Sequence, residues 1–460
     1  MLKRLLSFSI IITAIFISSN LFAQTDTTKS EHPADAKDLA TSKIKKGWNF
    51  GGVPAIAYSS DLGFLYGIIL NVYHYGDGSN YPNYNHSLYI EWSRTTKGSG
   101  KNMLIYDNRT LIPDGRMTLE ASYLTEQALN FYGFNGYQSY FGKEYLDQDD
   151  TTNYLSRLYY NHDRKLLRLR ADFQGKTPVK NLRWFGGLSY YGLGVSTVDV
   201  NKLNEGKDEK DILKDTSIYQ TYVDWGVIPQ DQKDGGNTTL IKLGLVYDTR
   251  DNDASPQKGI WSEAMIISAP GFLGNNYSYY KLSLTHRQYI TLFPKKLVFA
   301  YRLNYQGLIG GEIPFYMMPF YFRSKDVQDG LGGAKTLRGI LRNRIVGDGA
   351  VLGNIELRYR FLNTVLFNQN FTITLGGFMD AARVVQFHDF DKSGVTASAT
   401  NTKEENLKQL EYQDESFHIS YGLGLHFALN NNFIVTADYG MAGNPQDGKN
   451  GLYIGLNYLF

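Results

Sequence analysis

Hydrophobic and polar residues alternate with a period of two over long stretches of this chain. In Ser416 to Leu429, residues Phe417, Ile419, Tyr421, Leu423, Leu425, Phe427 and Leu429 share one face. Ser416, His418, Ser420, Gly422, Gly424 and His426 share the other. Leu240 to Thr249 sets Ile241, Leu243, Leu245 and Tyr247 against Lys242, Gly244 and Asp248. Gly353 to Phe361 sets Ile355, Leu357, Tyr359 and Phe361 against Asn354, Glu356, Arg358 and Arg360, and Phe371 to Asp380 repeats the pattern. A period of two is that of a β-strand. Strands this long exceed those of a soluble sandwich, and glycines and histidines suit a polar lumen better than a solvated surface. In the final segment Leu452, Ile454, Leu456, Tyr458 and Phe460 fall on one face. A membrane barrel closes by pairing its last strand with its first. The predicted fold is all-β, a single transmembrane antiparallel β-barrel.

Seventeen segments read as strands: 50–58, 63–76, 86–97, 102–111, 115–127, 152–160, 165–174, 182–197, 238–249, 259–270, 276–292, 296–310, 350–361, 369–384, 415–429, 432–442 and 451–460. Single-chain bacterial barrels have even strand numbers. About sixteen strands are therefore predicted, with the surplus segment before residue 200. Long segments at 311–349, 385–414 and 443–450 alternate with short ones at 293–295, 362–368 and 430–431. Periplasmic turns are short and external loops long, which orients the chain with its last residues on the periplasmic side. The polar segment 385–414, with Asp389, Asp391, Lys392, Lys403, Glu404 and Glu405, reads as disordered.

Lys3 and Arg4 precede an apolar run to Phe22, and Ala23-Gln24 has the form of a cleavage point. Residues 1–23 are predicted as a signal peptide, 24–47 as a short periplasmic tether and 48–460 as the barrel. The 35 Tyr, 26 Phe and 46 Gly fit aromatic girdles and a small-residue lumen wall. With Cys 0 in the chain, disulfides and thiol chemistry are excluded. A net charge of +2 carries no nucleic-acid signature. No nucleophile motif is present, and His418 and His426 lie roughly 27 Å apart along one strand, so neither a catalytic residue nor a metal or other cofactor is predicted. Both histidines, and Asp438, read as isolated lumen-lining polar residues.

One stretch asks for more than a pore wall. Leu331 to Ile340 sets Gly332, Gly333 and Gly339 around Arg338 within a long external segment. An Arg inside a barrel needs a carboxylate, and Glu356 and Asp380 stand on the polar faces of the two strands that follow. Periodicity leaves this pairing and a solvated Arg equally open.

The segment Leu337-Arg338-Gly339-Ile340 resembles the loop-six tetrapeptide of the bacterial surface antigen superfamily of outer-membrane barrels, BamA/TamA-like proteins. Ile340 replaces the usual aromatic. The resemblance implies that external loop six folds into the lumen and that Arg338 meets Glu356 and Asp380; Ala382 stands where the second acidic motif usually has Gly. Tyr247 to Gly259 resembles the family's turn ahead of loop six, carried here by Asp248, Arg250, Asp251, Pro256 and Gly259. Phe131 to Gly136 and the hairpin Gly51 to Gly63 are similar to family segments too. The chain looks like a barrel-only member from a Bacteroidota lineage, with no room for a POTRA module of roughly 75 residues between cleavage point and barrel. The resemblance implies a non-enzymatic outer-membrane barrel that assists assembly or insertion of outer-membrane or surface proteins, as a subunit of a larger complex. A seam between Gly51–Ser59 and Leu452–Phe460 would open toward the bilayer. Expected partners are outer-membrane lipids including lipopolysaccharide, an assembly barrel and surface lipoproteins. The alternative is an autonomous conduit for small solutes or lipids.

Overall fold

The computed structural model describes residues 45–460, apart from 80–83, 113, 326, 367–368, 399 and 430–432. The predicted signal peptide and nearly all of the tether lie outside the described residues. Eighteen strands are present: β1 Trp48–Ser59, β2 Gly63–His74, β3 His86–Thr95, β4 Ser99–Asn108, β5 Gly115–Asn130, β6 Asn161–Lys176, β7 Leu182–Ser196, β8 Gly235–Asp248, β9 Gly259–Ala269, β10 Tyr279–Phe293, β11 Leu297–Gly311, β12 Phe320–Phe322, β13 Val327–Asp329, β14 Gly349–Leu366, β15 Gln369–Gln386, β16 His418–Leu429, β17 Phe433–Ala442 and β18 Asn450–Leu456. All but β12 and β13 form one closed antiparallel barrel of sixteen strands in sequence order, with β11 beside β14 and β18 beside β1. β12 and β13 pair only with each other, inside the long β11–β14 connection.

The strand count agrees with the sequence, and the surplus segment is 152–160. It is a run of turns. Asp150 accepts from the backbone N–H groups of Thr152 and Asn153, and the N–H groups of Leu155 and Ser156 both go to the Tyr145 carbonyl. With its donors satisfied locally, the segment has no ladder to join.

The alternation resolves as predicted. Leu243, Leu245, Leu357, Tyr359, Tyr421 and Leu423 point outward and are exposed to the bilayer, whereas Lys242, Glu356, Arg358, Ser420 and His426 are buried inside. Inward charges are matched between strands, two apart (β8 with β6) or adjacent (β6 with β5). Lys242 lies 2.7 Å from Asp172 and Arg170 lies 2.8 Å from Glu120. Each of these four buried charges is compensated by its partner, which is what admits it to the wall.

The external segments pack over the barrel. Phe131, Tyr132, Phe134, Tyr222, Ile313, Phe315, Val395 and Leu410 belong to one buried cluster drawn from four connections. Within it the segment predicted to be disordered is folded: Lys403–Leu410 is helical and begins with a capping box in which Thr402 and Glu405 satisfy each other's backbone N–H groups. Its charged residues Lys403, Glu404, Glu405 and Lys408 are exposed while Val395, Asn406 and Leu410 are buried, so composition alone misled.

The final strand is also shorter than predicted. β18 ends at Leu456, and Asn457 adopts a left-handed φ of 65° while donating to the Ile434 carbonyl at 2.9 Å. The chain then turns inward. Phe460 is 7% exposed and packs with Tyr289 and Ala300 inside the barrel. Tyr458 and Phe460 therefore leave the outward face that Leu452 and Leu456 occupy.

Candidate functional site

Loop six, residues 312–348, enters the lumen and touches several of its walls. Gly332, Gly333 and Gly339 all have positive φ, and at Gly339 (φ 96°) a Cβ would sit 2.5 Å from the Gly440 carbonyl carbon on β17. Only glycine permits this contact. The approach places Arg338, 1% exposed, between β14, β15 and β17. Its Nη1 donates to Glu356 at 2.7 Å, and its Nε and Nη2 form a fork with Asp380 at 3.0 Å each. The Arg338 backbone N–H also donates to Asp380 at 3.0 Å. The guanidinium lies 3.4 Å above the Phe378 ring centre. Fork geometry and a π face together make Arg, rather than Lys, fit this position.

Two neighbours complete the site. Asn354 donates to Asp380 and to the Thr336 carbonyl at 2.8 Å each. Asp438 stands 3.6 Å from Arg338 and 2.8 Å from His426 Nε2. The structure thus brings together Arg338, Gly339, Glu356 and Asp380 and adds Asp438 and His426, which sequence reading left as isolated lumen residues. His418 is not isolated either. It stacks on Tyr137 at 3.7 Å and lies 2.5 Å from Asp447 and 3.3 Å from Glu415, in a buried cluster under the external loops. These contacts join strands and loops distant in sequence, and the period-two pattern carries no signal for them.

Three arginines of loop six reach different partners, Arg338 and Arg342 on the barrel wall and Arg344 in the connections above it. Arg342 pairs with Glu126 of β5 at 2.6 Å. Arg344 donates to the carbonyls of Gly136, Ser139 and Gln446 at 2.7–2.9 Å, tying the Phe131–Gly136 segment beneath the external cap. At the far tip, Lys325 lies 4.0 Å from Asp253 and 4.8 Å from the Trp261 ring centre. Asp253 belongs to the β8–β9 turn. There Arg250 forks onto Asp248 at 3.0 Å and reaches Asp253 at 2.7 Å, while Asp251 accepts from Gln257 at 2.9 Å. Pro256 is buried in this turn, and Gly259 has φ 103° with no room for a Cβ beside Thr249. The turn motif and loop six are therefore in contact through Asp253, a residue the sequence pattern did not single out. Burial alone would raise the Asp253 pKa, but Lys325 and Arg250 outweigh it and hold the carboxyl below its ordinary value.

The loop also borders the barrel's closing edge. β1 and β2 pair over twelve residues, but β1 and β18 pair only through Tyr58 with Ile454 and Ser59 with Tyr453. One further contact follows, the Ser60 N–H to the Leu452 carbonyl at 3.0 Å. This is far less than the predicted pairing of Gly51–Ser59 with Leu452–Phe460: the inward turn at Asn457 removes residues 457–460, and Gly455 and Leu456 pair with β17 and not with β1. The Tyr453 hydroxyl accepts the Gly339 N–H at 3.1 Å, and Asp61, just past β1, accepts a backbone hydrogen bond from Ala334 and faces Arg342. Burial raises the Asp61 pKa above its ordinary value despite those contacts. Loop six thus touches both sides of the seam at its outer end.

A closed, lipid-facing sixteen-stranded barrel with a lumen-inserted loop defines an outer-membrane β-barrel. The Omp85 superfamily domain matches residues 135–460, and the chain belongs to that superfamily. Its barrels are generally non-enzymatic transport and assembly proteins. Two solved structures share the fold. BamA from Haemophilus ducreyi lacking POTRA domains 1–3 is 16% identical, with a TM-score of 0.51 over 90% of this chain and 71% of that one. CdiB from Escherichia coli is 9% identical, with a TM-score of 0.54 over 91% of this chain and 64% of that one. This chain therefore spans under two thirds of the CdiB chain. No curated protein matches it. Among the described residues, no group of three or more His, Asp or Glu side chains could hold a metal ion.

Proposed function

We propose that this protein is a non-enzymatic outer-membrane barrel that assists assembly or insertion of outer-membrane or surface proteins, working as a subunit of a larger complex. The observation that carries this reading is the two-pair seam. Below Tyr58, β1 has no neighbour on its seam side among the described residues. An unpaired strand edge recruits another strand through main-chain hydrogen bonds. In the bilayer an edge that bonds with nothing is costly, so the seam favours an incoming strand.

Arg338, Glu356 and Asp380 act in this reading as a structural brace that fixes loop six and one barrel wall. Asp248, Arg250, Asp251, Pro256 and Gly259 hold the turn against which the loop tip rests. The lumen opposes the alternative of a solute or lipid conduit, because it is crossed by loop six and lined by paired charges. The external cap supplies the surface for lipoproteins, and lipopolysaccharide surrounds the outer half of the barrel.

The test is purification in mild detergent from the native membrane, with stoichiometric companions identified by mass spectrometry. Co-purification with an assembly barrel or with surface lipoproteins is expected. A companion-free protein that conducts ions or moves lipid between vesicles would overturn the reading in favour of the conduit.

A further inference from the structure

Two cations stand on the lipid-facing side of the barrel wall. Arg94 lies two positions beyond Trp92 on β3, and Thr125 two beyond Tyr123 on β5. Lys165 lies two before Leu167 on β6. Trp92, Tyr123 and Leu167 are exposed on the outward face, so Arg94, Thr125 and Lys165 share it. The register sets the three level: Arg94 pairs with Gly100, Gly100 with Thr125, and Thr125 with Lys165. They form one row at the outer ends of β3 to β6, directly above two aromatics of girdle type. A Lys or Arg facing lipid is costly at mid-membrane and nearly free close to the interface. The row therefore belongs at headgroup depth.

Gly100 gathers the row. A Cβ there would lie 2.6 Å from Thr125 Oγ1 and 3.2 Å from both Cδ and Cζ of Arg94. The Arg94 side chain thus folds across the glycine toward the Thr125 hydroxyl, and Lys165 stands on the other side of Thr125. The guanidinium is fixed in this pose. It lies 4.8 Å from the Trp92 ring centre. Its Nη1 donates to the Ser93 and Lys101 carbonyls at 2.7 and 3.5 Å, and its Nη2 to Asn102 at 3.2 Å. All of these acceptors are neutral. Among the described residues, no carboxylate forms an ion pair with Arg94 or Lys165. Asp163, one step further out on β6, shares the face and feels the Lys165 charge without pairing to it. On the lumen side the adjacent residue Arg164 is paired, with Glu126.

We infer that Arg94, Thr125 and Lys165 form a site for a phosphate on the sugar headgroup of outer-leaflet lipopolysaccharide. The two cations flank the anion, and the Thr125 hydroxyl donates between them. A phosphate suits this set because it offers several oxygens to separate donors at once. Trp92, Tyr123 and Leu167 lie below, along the acyl chains. The site is on β3 to β6, away from the β1–β18 seam, and does not rest on the seam reading.

Native mass spectrometry of the protein purified in mild detergent reads bound lipid directly. The probes are lipopolysaccharide from the native membrane, the same lipopolysaccharide after phosphatase treatment, and phosphatidylglycerol. The parent is expected to retain the first over the other two. Arg94→Gln with Lys165→Gln should weaken retention by more than about tenfold, as expected for losing charge-assisted hydrogen bonds. Gly100→Ala, which keeps both charges but intrudes between Arg94 and Thr125, should weaken it several-fold. Each variant is compared as protein with parental heat-modifiability. Equal retention by the parent and the double variant, no dependence on phosphate, or a preference for phosphatidylglycerol would overturn the proposal.

Discussion

Arg338 is the side chain on which most of the lumen geometry converges. It is buried with three carboxylates within 3.6 Å and a ring beneath it. Removing one partner of a buried ion pair costs about 3–5 kcal/mol, because the remaining charges lose their compensation. Arg338→Ala is therefore expected to lower the temperature at which the barrel unfolds in detergent, read as the shift in electrophoretic mobility on heating. Arg338→Lys should recover part of the loss, since it keeps the charge but not the fork. An unchanged unfolding profile in R338A would remove the brace. A second expectation concerns Asp253. Its folded pKa is depressed, so its contribution to stability is fully present above its unfolded value and is lost as pH falls through the folded one. Acidification through the carboxylate range should loosen the contact with Lys325. Protection of the β8–β9 turn in hydrogen exchange should fall with pH in the parent and respond less in Asp253→Asn.

At the level of strands and loops, what was legible in the sequence followed from period two. Strand faces came from alternation, and the sixteen strands from the segments it marked together with the even number such barrels keep. Arg338 with Glu356 and Asp380 needed a motif as well, since periodicity left their pairing open. Three features escaped. The run 152–160 carries strand-like aromatics, but Asp150 and the Tyr145 carbonyl take its backbone donors. The 385–414 segment is polar in composition yet caps its own helix. The alternation continues through Tyr458 and Phe460, while a left-handed Asn457 and a cationic lumen seat pull them away. In the first and third cases the decisive partner lies outside the period-two pattern, and the second turns on the Thr402/Glu405 capping box, a local signal that composition does not carry. Gly339 gives a direct check on loop placement. Gly339→Ala, strained at φ 96° and colliding with Gly440, is expected to cost about 1–3 kcal/mol. It should expose Arg338's neighbourhood to protease in the folded barrel, and a variant with parental protease resistance would show that the loop does not depend on this contact.

For the whole molecule, stability is distributed unevenly around the wall. Most strand neighbours share ten or more paired residues, but the closing pair shares two. Loop six grips both sides of that weak joint at its outer end through Tyr453 and Asp61. Opening is therefore expected to begin at the inner end, where β1 is free and the tail is withdrawn. The most direct measurement places a photo-activated cross-linking residue at Ile56, whose backbone faces the seam, and irradiates living cells. Discrete adducts with other outer-membrane proteins are expected, and they should be absent from the molecules in which Val53→Cys and Leu459→Cys, opposite each other when the β1–β18 register is continued, have been oxidised to lock the seam. Protein adducts that persist with the seam locked, or labelling of lipid alone, would contradict a strand-accepting seam.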